Sequence, residues 1–258
     1  MALSVFALVK ITGLQFQIEI DNGIAFFSFF GTIVAYNFVK YATLVSVQKR
    51  KIRRQLKGIA LLSLVALVAT GFYFFQLQKH TQMSAVVFLV LTLLYTLPFF
   101  PNLKNTRNWS GIKIYIVALC WVGVSLVLPV INAGISFSFG LYFIFVQRFI
   151  LVFVLTLIFE IIDLKTDDLH LQTVPQQIGV KKTKWLGYLL LLLFCGLEFL
   201  NSNGNINFQN FFIPLPLVIA VAIALFIFYA NENRSKYYTS FWVESVPILW
   251  WFLLLLMK

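Results

Sequence analysis

The amino-acid sequence predicts an all-α, polytopic membrane protein with about nine transmembrane helices, on three observations. First, 60% of the 258 residues are hydrophobic, only 11% are charged, and the mean hydropathy is +0.89. A soluble domain carries about 25% charged residues, so this chain has too little polar surface to cover a globule in water. Second, the apolar residues fall in repeated blocks of roughly 16 to 24, long enough for helices to cross a ~30 Å hydrocarbon core. Third, the ten-residue alternating pattern of an outer-membrane barrel is absent from these blocks.

The first block, Ala2 to Phe16, is short and carries Lys10. It lacks the basic start and small-residue cleavage site of a secretory leader, so it is expected to be a helix of the protein itself. Ile24 to Val47 follows, with Asn37 and Lys40 near its far end, and then Gly58 to Leu77 and Met83 to Phe100. Ile114 to Ile131 contains Cys120, and Phe137 to Phe159 contains Gln147 and Arg148. Trp185 to Leu200, Phe211 to Ala230 and Phe241 to Met257 complete the series, with Glu198 and Glu244 read as interfacial. Pro98, Pro129, Pro175, Pro214, Pro216 and Pro247 lie mostly near block ends, where a missing amide hydrogen costs little. No long linker interrupts the blocks, and residues 1–258 are expected to form a single membrane domain.

The connections supply the orientation. Most of the 20 lysines and arginines sit in four loops: Lys49 to Lys57, Lys104 to Lys113 with Arg107, Lys165 to Lys184 with Lys181 and Lys182, and Arg234 with Lys236. These are alternate loops. The positive-inside rule therefore puts them in the cytoplasm, with the N-terminus inside and the C-terminus outside, in a cell's inner (plasma) membrane. The net charge of +11 follows from this bias, and nucleic acid is not an expected partner. Asn108-Trp109-Ser110 and Asn233-Arg234-Ser235 match glycosylation sequons but fall in cytoplasmic loops. Cys120 and Cys195 read as small buried hydrophobes. Dinucleotide-binding glycine motifs and zinc-type cysteine or histidine spacings are absent, which excludes those function classes.

Ionisable groups inside apolar blocks are costly and mark function or partnership. Two accounts of Lys40 stay open: its stem snorkels to the interface, or its ammonium serves a ligand. Arg148 lies 12 residues before Glu160, ~18 Å along a helix, and must pair or line a wet cavity. The densest chemistry is Glu160-Ile-Ile-Asp163-Leu-Lys-Thr-Asp167-Asp168. A spacing of i, i+3 and i+7 puts Glu160, Asp163 and Asp167 on one helical face. Stacked carboxylates repel unless a cation collects them, and hard oxygen donors of this kind suit Mg²⁺, which also takes phosphate oxygens. A solvated acidic loop balancing its basic neighbours is the competing account.

The longer stretch EIIDLKTDDLHLQTVPQQIG, residues 160–179, followed by Val180-Lys181-Lys182, resembles the second aspartate-rich motif of the UbiA superfamily of intramembrane prenyltransferases. That motif runs Asp-x-x-Asp-x-x-x-Asp, then a Thr-Leu-Pro-like turn and a Gly before the next helix. Glu160, Asp163, Asp167, Thr173-Val174-Pro175 and Gly179 occupy those places, with Glu for the first Asp and a slightly shorter spacing to the Thr. Leu94-Tyr95-Thr96-Leu97-Pro98 and Gly111-Ile112-Lys113 are similar to the family's connection between the fourth and fifth helices. The family's first motif is not kept. Where it has Asn-Asp-x-x-Asp-x-x-x-Asp, Asn37 is present, but Phe38, Tyr41 and Val45 replace the three acids.

The resemblance implies a UbiA-like helical bundle with its acidic motifs at the cytoplasmic side. It implies that an isoprenyl group passes from a prenyl diphosphate to an aromatic or lipid acceptor soluble in the membrane, with Mg²⁺ as cofactor. Glu160, Asp163 and Asp167 would hold the metal. Asn37, Lys40, Lys104, Arg107, Lys113, Lys181 and Lys182 would meet the diphosphate, and aromatic faces the carbocation. Three readings remain: a prenyltransferase in which Lys40 replaces one metal, a degenerate member that binds an isoprenoid or quinone without turnover, and an unrelated carrier marked by Arg148 and Glu160.

Overall fold

In the computed structural model, residues 1–47, 54–96, 111–136, 138–167, 171–201 and 214–257 are described, and every regular element among them is helical. The elements are α1 (Ala2–Phe16), α2 (Asn22–Val47), α3 (Arg54–Phe74), α4 (Lys79–Thr96), α5 (Ile112–Asn132), α6 (Phe139–Asp163), α7 (Val174–Ile178), α8 (Val180–Asn201), α9 (Pro214–Tyr229) and α10 (Tyr238–Leu256). Each apolar block of the sequence corresponds to one long element, and α7 is additional. Among the described residues, α2, α3, α5, α6, α8 and α10 contain stretches long and apolar enough to cross a membrane, and α1 and α9 are shorter apolar helices.

The chain divides into two compact units: Met1–Leu97 with Gly123–Ile135, and Pro98–Val122 with Ser136–Lys258. In the first, α1 packs on α2 and on the second half of α5, α2 pairs with α3, and α4 packs against the end of α5. The α2–α3 seam is aromatic toward the start of α2 and the end of α3. Tyr73 stacks on Phe26 and Phe30 at centroid distances of 5.4 and 6.1 Å. Outward from this seam, α3 exposes Leu61, Leu64, Leu67, Val68 and Phe72, a surface that hydrocarbon would cover and water would not.

Both prolines that fall beyond the first turn of long helical runs come just after π-helical turns. In α5 the π segment Gly123–Val127 precedes Pro129, and in α10 Tyr238–Val243 precedes Pro247. Pro129 has no N–H to offer the carbonyl four residues back, that of Ser125. Thr12 of α1 donates its hydroxyl to that carbonyl at 2.8 Å and also to Leu8 at 3.0 Å, so the freed backbone group is satisfied in a buried place. Gly123 serves a different contact, the close approach of α5 to α4. A Cβ there would stand 2.1 Å from the Phe88 ring of α4.

In the second unit α6 is the central helix. Leu151, Val154, Leu157, Ile158 and Ile161 are all at most 1% exposed, and α5, α8, the short α7 and the first turns of α10 pack around α6. A helix that is apolar all round belongs at the centre of a membrane bundle, and α6 is that helix here. α9 packs on α8 and α10, and Phe194 meets Trp250 edge-on at 6.3 Å.

Candidate functional site

The acidic motif stands at the end of α6. Asp163 is the last helical residue, and its carbonyl accepts the N–H groups of Thr166 and Asp167, both at 2.8 Å, plus the Thr166 hydroxyl at 3.1 Å. Thr166 competes for the helical carbonyl and helps to close the turn. The one-face expectation therefore holds for Glu160 and Asp163 within α6, while Asp167 lies in the turn beyond it.

The two helical acids take different partners. Glu160 is 3% exposed, and its Oε2 accepts the backbone N–H of Val174, the first residue of α7, at 3.0 Å. A carboxylate is well placed on such an N–H, which has no partner inside its own helix. Lys113, in the first turn of α5, and Asp167 are both within electrostatic range of Glu160. Asp163 turns to the α9–α10 connection, where the Lys236 ammonium stands 3.5 Å from its Oδ1. That oxygen is buried and accepts no hydrogen bond among the described residues.

The Thr-Val-Pro segment, expected as a turn, is the start of a helix. Thr173 is the N-cap of α7, Pro175 lies in its first turn, and Gln176 Oε1 accepts the Thr173 N–H at 2.9 Å. The signal was present in the sequence as Thr-x-x-Gln ahead of a helix, a capping box. Gly179 then takes φ +81°, a conformation that suits glycine, and α8 begins at Val180 with Lys181 and Lys182 exposed in its first turn.

The remaining site candidates lie on other elements or outside the described residues. In the first unit Asn37 donates to Ser63 Oγ of α3 at 2.9 Å. Lys40 is exposed, donates to the Tyr36 hydroxyl at 3.2 Å and lies 5.2 Å over the Tyr36 ring. Phe38, one of the residues in place of the lost acids, is 37% exposed. Lys104 and Arg107 lie outside the described residues, as does Asp168. Among the described residues no three His, Cys, Asp or Glu side chains converge into a set that would hold a metal ion alone. The donor chemistry at the end of α6 nevertheless fits Mg²⁺. That ion needs only one or two carboxylates when phosphate oxygens complete its shell, and Asp163 Oδ1 is a buried anionic oxygen without a hydrogen bond.

Two features escaped the sequence reading. Lys236 was counted only as part of a basic loop, yet it faces Asp163. Glu198 was assigned to the interface, but its Oε2 accepts a hydrogen bond from Gln147 Nε2 at 2.6 Å, and Gln147 is 4% exposed on α6. The reason for this pairing is packing. Hydrocarbon offers no partner, so a polar group on α8 turns inward to one on α6. Arg148, beside Gln147, is 2% exposed and likewise partnered.

Neither family models nor curated protein sequences give a match to this chain. Solved structures do. The apo structure of a UbiA homologue from Aeropyrum pernix K1 is similar at a TM-score of 0.68, covering 100% of this chain and 98% of that one at 13% identity. A UbiA homologue from Archaeoglobus fulgidus, bound to GPP and Mg²⁺, is similar at 0.64, covering 96% and 93% at 12% identity. A structure of digeranylgeranylglyceryl phosphate synthase is similar at 0.58, covering 98% and 91% at 15% identity. The fold is thus one that these proteins share, across nearly the whole chain.

Proposed function

We propose that the chain is a UbiA-superfamily intramembrane prenyltransferase, moving an isoprenyl group from a prenyl diphosphate to a membrane-soluble acceptor. The observation that carries this reading is the coincidence of a shared fold over 96% or more of the chain in these comparisons with an acidic cluster at the end of α6, beside basic side chains. The fold alone would not select a chemistry. Glu160, Asp163 and Asp167 are carboxylates at the end of an apolar helix, and Lys113 is close enough to Glu160 to act on its charge. The shared fold speaks against the unrelated-carrier reading, since the similar structures are UbiA homologues.

In this reading Asp163 and Asp167, supported by Glu160, would hold Mg²⁺. When bound, the metal supplies positive charge that stabilises a departing diphosphate. Lys113, Lys181 and Lys182, with Lys104 and Arg107 from the preceding connection, bind phosphate oxygens through charge-assisted hydrogen bonds. Lys40 contributes the ammonium that replaces a second metal where Phe38, Tyr41 and Val45 stand instead of acids, and Asn37 lies one turn from it on α2. Glu160 ties α6 to α7 through the Val174 N–H, and α7 leads through Gly179 to Lys181 and Lys182 at the start of α8. Aromatic faces such as Tyr115 and Phe153, whose centroids are 5.1 Å apart, stabilise the allylic cation. Residues 1–258 serve as a single membrane domain in this reading, inserted with its N-terminus and basic loops at the cytoplasmic face.

The loss of the first acidic motif is the specific observation that favours a second reading, an isoprenoid- or quinone-binding protein without turnover. One experiment separates them. Protein in lipid nanodiscs is given a labelled prenyl diphosphate and Mg²⁺, and binding, diphosphate release and alkylated lipid are measured, with native mass spectrometry identifying co-purified acceptors. Release of diphosphate that is lost in Asp163→Asn supports the enzyme. Binding without release supports the second reading; the absence of any prenyl diphosphate binding rejects the enzyme, and the absence of any co-purified isoprenoid or quinone as well rejects the second reading.

A further inference from the structure

The connection between α9 and α10 is a turn held by local contacts. Asn231 Oδ1 accepts the Asn233 N–H at 3.0 Å, the Asn231 carbonyl accepts the Arg234 N–H at 3.1 Å, and the Arg234 guanidinium lies 5.5 Å over the Tyr238 ring. Two interactions then join this connection to the acidic turn. Lys165 reaches out to Glu232 at 3.7 Å and donates to Asn233 Oδ1, and Lys236 reaches back to Asp163 at 3.5 Å. Each segment thus gives one lysine to the other's acid. Only one of those acids belongs to the motif assigned to metal and diphosphate.

This crossed pairing has a chemical consequence. An ammonium and a divalent cation cannot both take Asp163 Oδ1 at full strength, since each neutralises the same charge. The Lys236 side chain is 69% exposed, so its hold on Asp163 is weak and it is free to swing. A diphosphate beside Asp163 would offer that ammonium several anionic oxygens in place of one.

Resting on the functional reading above, we infer that Lys236 is a further diphosphate-binding residue. It is the counter-charge of Asp163 in the ligand-free protein and passes to the diphosphate when Asp163 takes the metal. The α9–α10 connection, which Lys165 also meets at Glu232 and Asn233, is therefore part of the substrate site. Lys236 moves between two anionic partners and no covalent step is involved.

The inference requires opposite effects on two ligands, which a structural role would not produce. Detergent-solubilised parent, Lys236→Ala and Lys236→Arg are titrated with Mn²⁺ alone, followed by electron paramagnetic resonance, and then with a non-ionisable prenyl diphosphate analogue in Mg²⁺. Lys236→Ala is expected to bind Mn²⁺ alone a few-fold more tightly, because Asp163 loses its competitor. It is expected to bind the analogue on the order of 10-fold more weakly, and Lys236→Arg to recover most of that loss. Inorganic pyrophosphate replaces the analogue in a parallel arm, and an equal fold-change there assigns the contact to the diphosphate and not to the prenyl tail. Glu232→Gln, which weakens the contact with Lys165 but leaves Lys236 in place, should move analogue affinity less than Lys236→Ala. Equal analogue affinity in the parent and Lys236→Ala overturns the inference while the functional reading stands. Parent protein that binds no analogue overturns the functional reading and the diphosphate half of the inference. Unchanged Mn²⁺ affinity then overturns the other half.

Discussion

Glu160 permits the sharpest separation of a ligand role from a structural one. Its carboxylate is 3% exposed and accepts one backbone N–H, that of Val174, at 3.0 Å. A hydrogen bond to a charged group contributes about 1.5–3 kcal/mol, and a neutral one about 1. Glu160→Gln keeps the shape and leaves an amide oxygen to accept the same N–H. It gives up the charge assistance and the attraction of Lys113, but it also removes the cost of burying an anion and the repulsion of Asp167. These terms oppose one another, and the net change in stability is expected to stay within about 1 kcal/mol. Glu160→Ala has no compensation. It strands the Val174 N–H and opens a cavity, at a cost of about 2–4 kcal/mol. Ligand binding responds in another order. A neutral amide is a poor partner for Mg²⁺, so both variants should lose roughly 10- to 100-fold in affinity for the prenyl diphosphate analogue, equivalent to about 1.4–2.7 kcal/mol. The assay is thermal unfolding in detergent beside analogue titration in Mg²⁺. Glu160→Gln binding the analogue like the parent, with only Glu160→Ala impaired, would refute the ligand role and leave Glu160 as the tie between α6 and α7.

Other outcomes follow from the same reasoning. Lys40→Ala should weaken analogue binding sharply and raise the Mg²⁺ dependence, with partial recovery in Lys40→Arg; an unaltered titration would return Lys40 to a snorkelling side chain and favour the lipid-binding reading. Gln147→Leu leaves the Glu198 carboxylate without its partner and should cost about 1–2 kcal/mol of thermal stability in detergent. Gln147→Leu with Glu198→Leu should cost less than the sum of the singles, and strict additivity would show that the pair is not coupled. Cysteines introduced at Asn22 or Ser202 should react with a membrane-impermeant reagent from outside intact cells; labelling only after permeabilisation would invert the proposed orientation.

Much of this molecule was legible before its tertiary structure. The class and the helix positions followed from apolar block length, because a bilayer demands that each spanning segment satisfy its own backbone, which local sequence reports directly. Asp163 as the exit of α6 was readable for the same reason, since the acids begin where the apolar run ends. The partners of those acids were not readable. Glu160 meets Val174 14 residues later, Gln147 meets Glu198 51 residues away, Lys165 meets Asn233 across 68, and Thr12 meets Ser125 across 113. Periodicity says which residues share a face of one helix, but in lipid-facing helices with small amphipathic bias it does not say which faces meet. The π turns before Pro129 and Pro247 also belong to the fold, since what makes them tolerable at Pro129 is the Thr12 hydroxyl supplied from another helix. Sequence alone determined that acids and bases gather at helix ends. Packing decided that Glu160 supports a backbone turn while Asp163 faces Lys236, a difference set by which neighbouring chain segment each carboxylate reaches first.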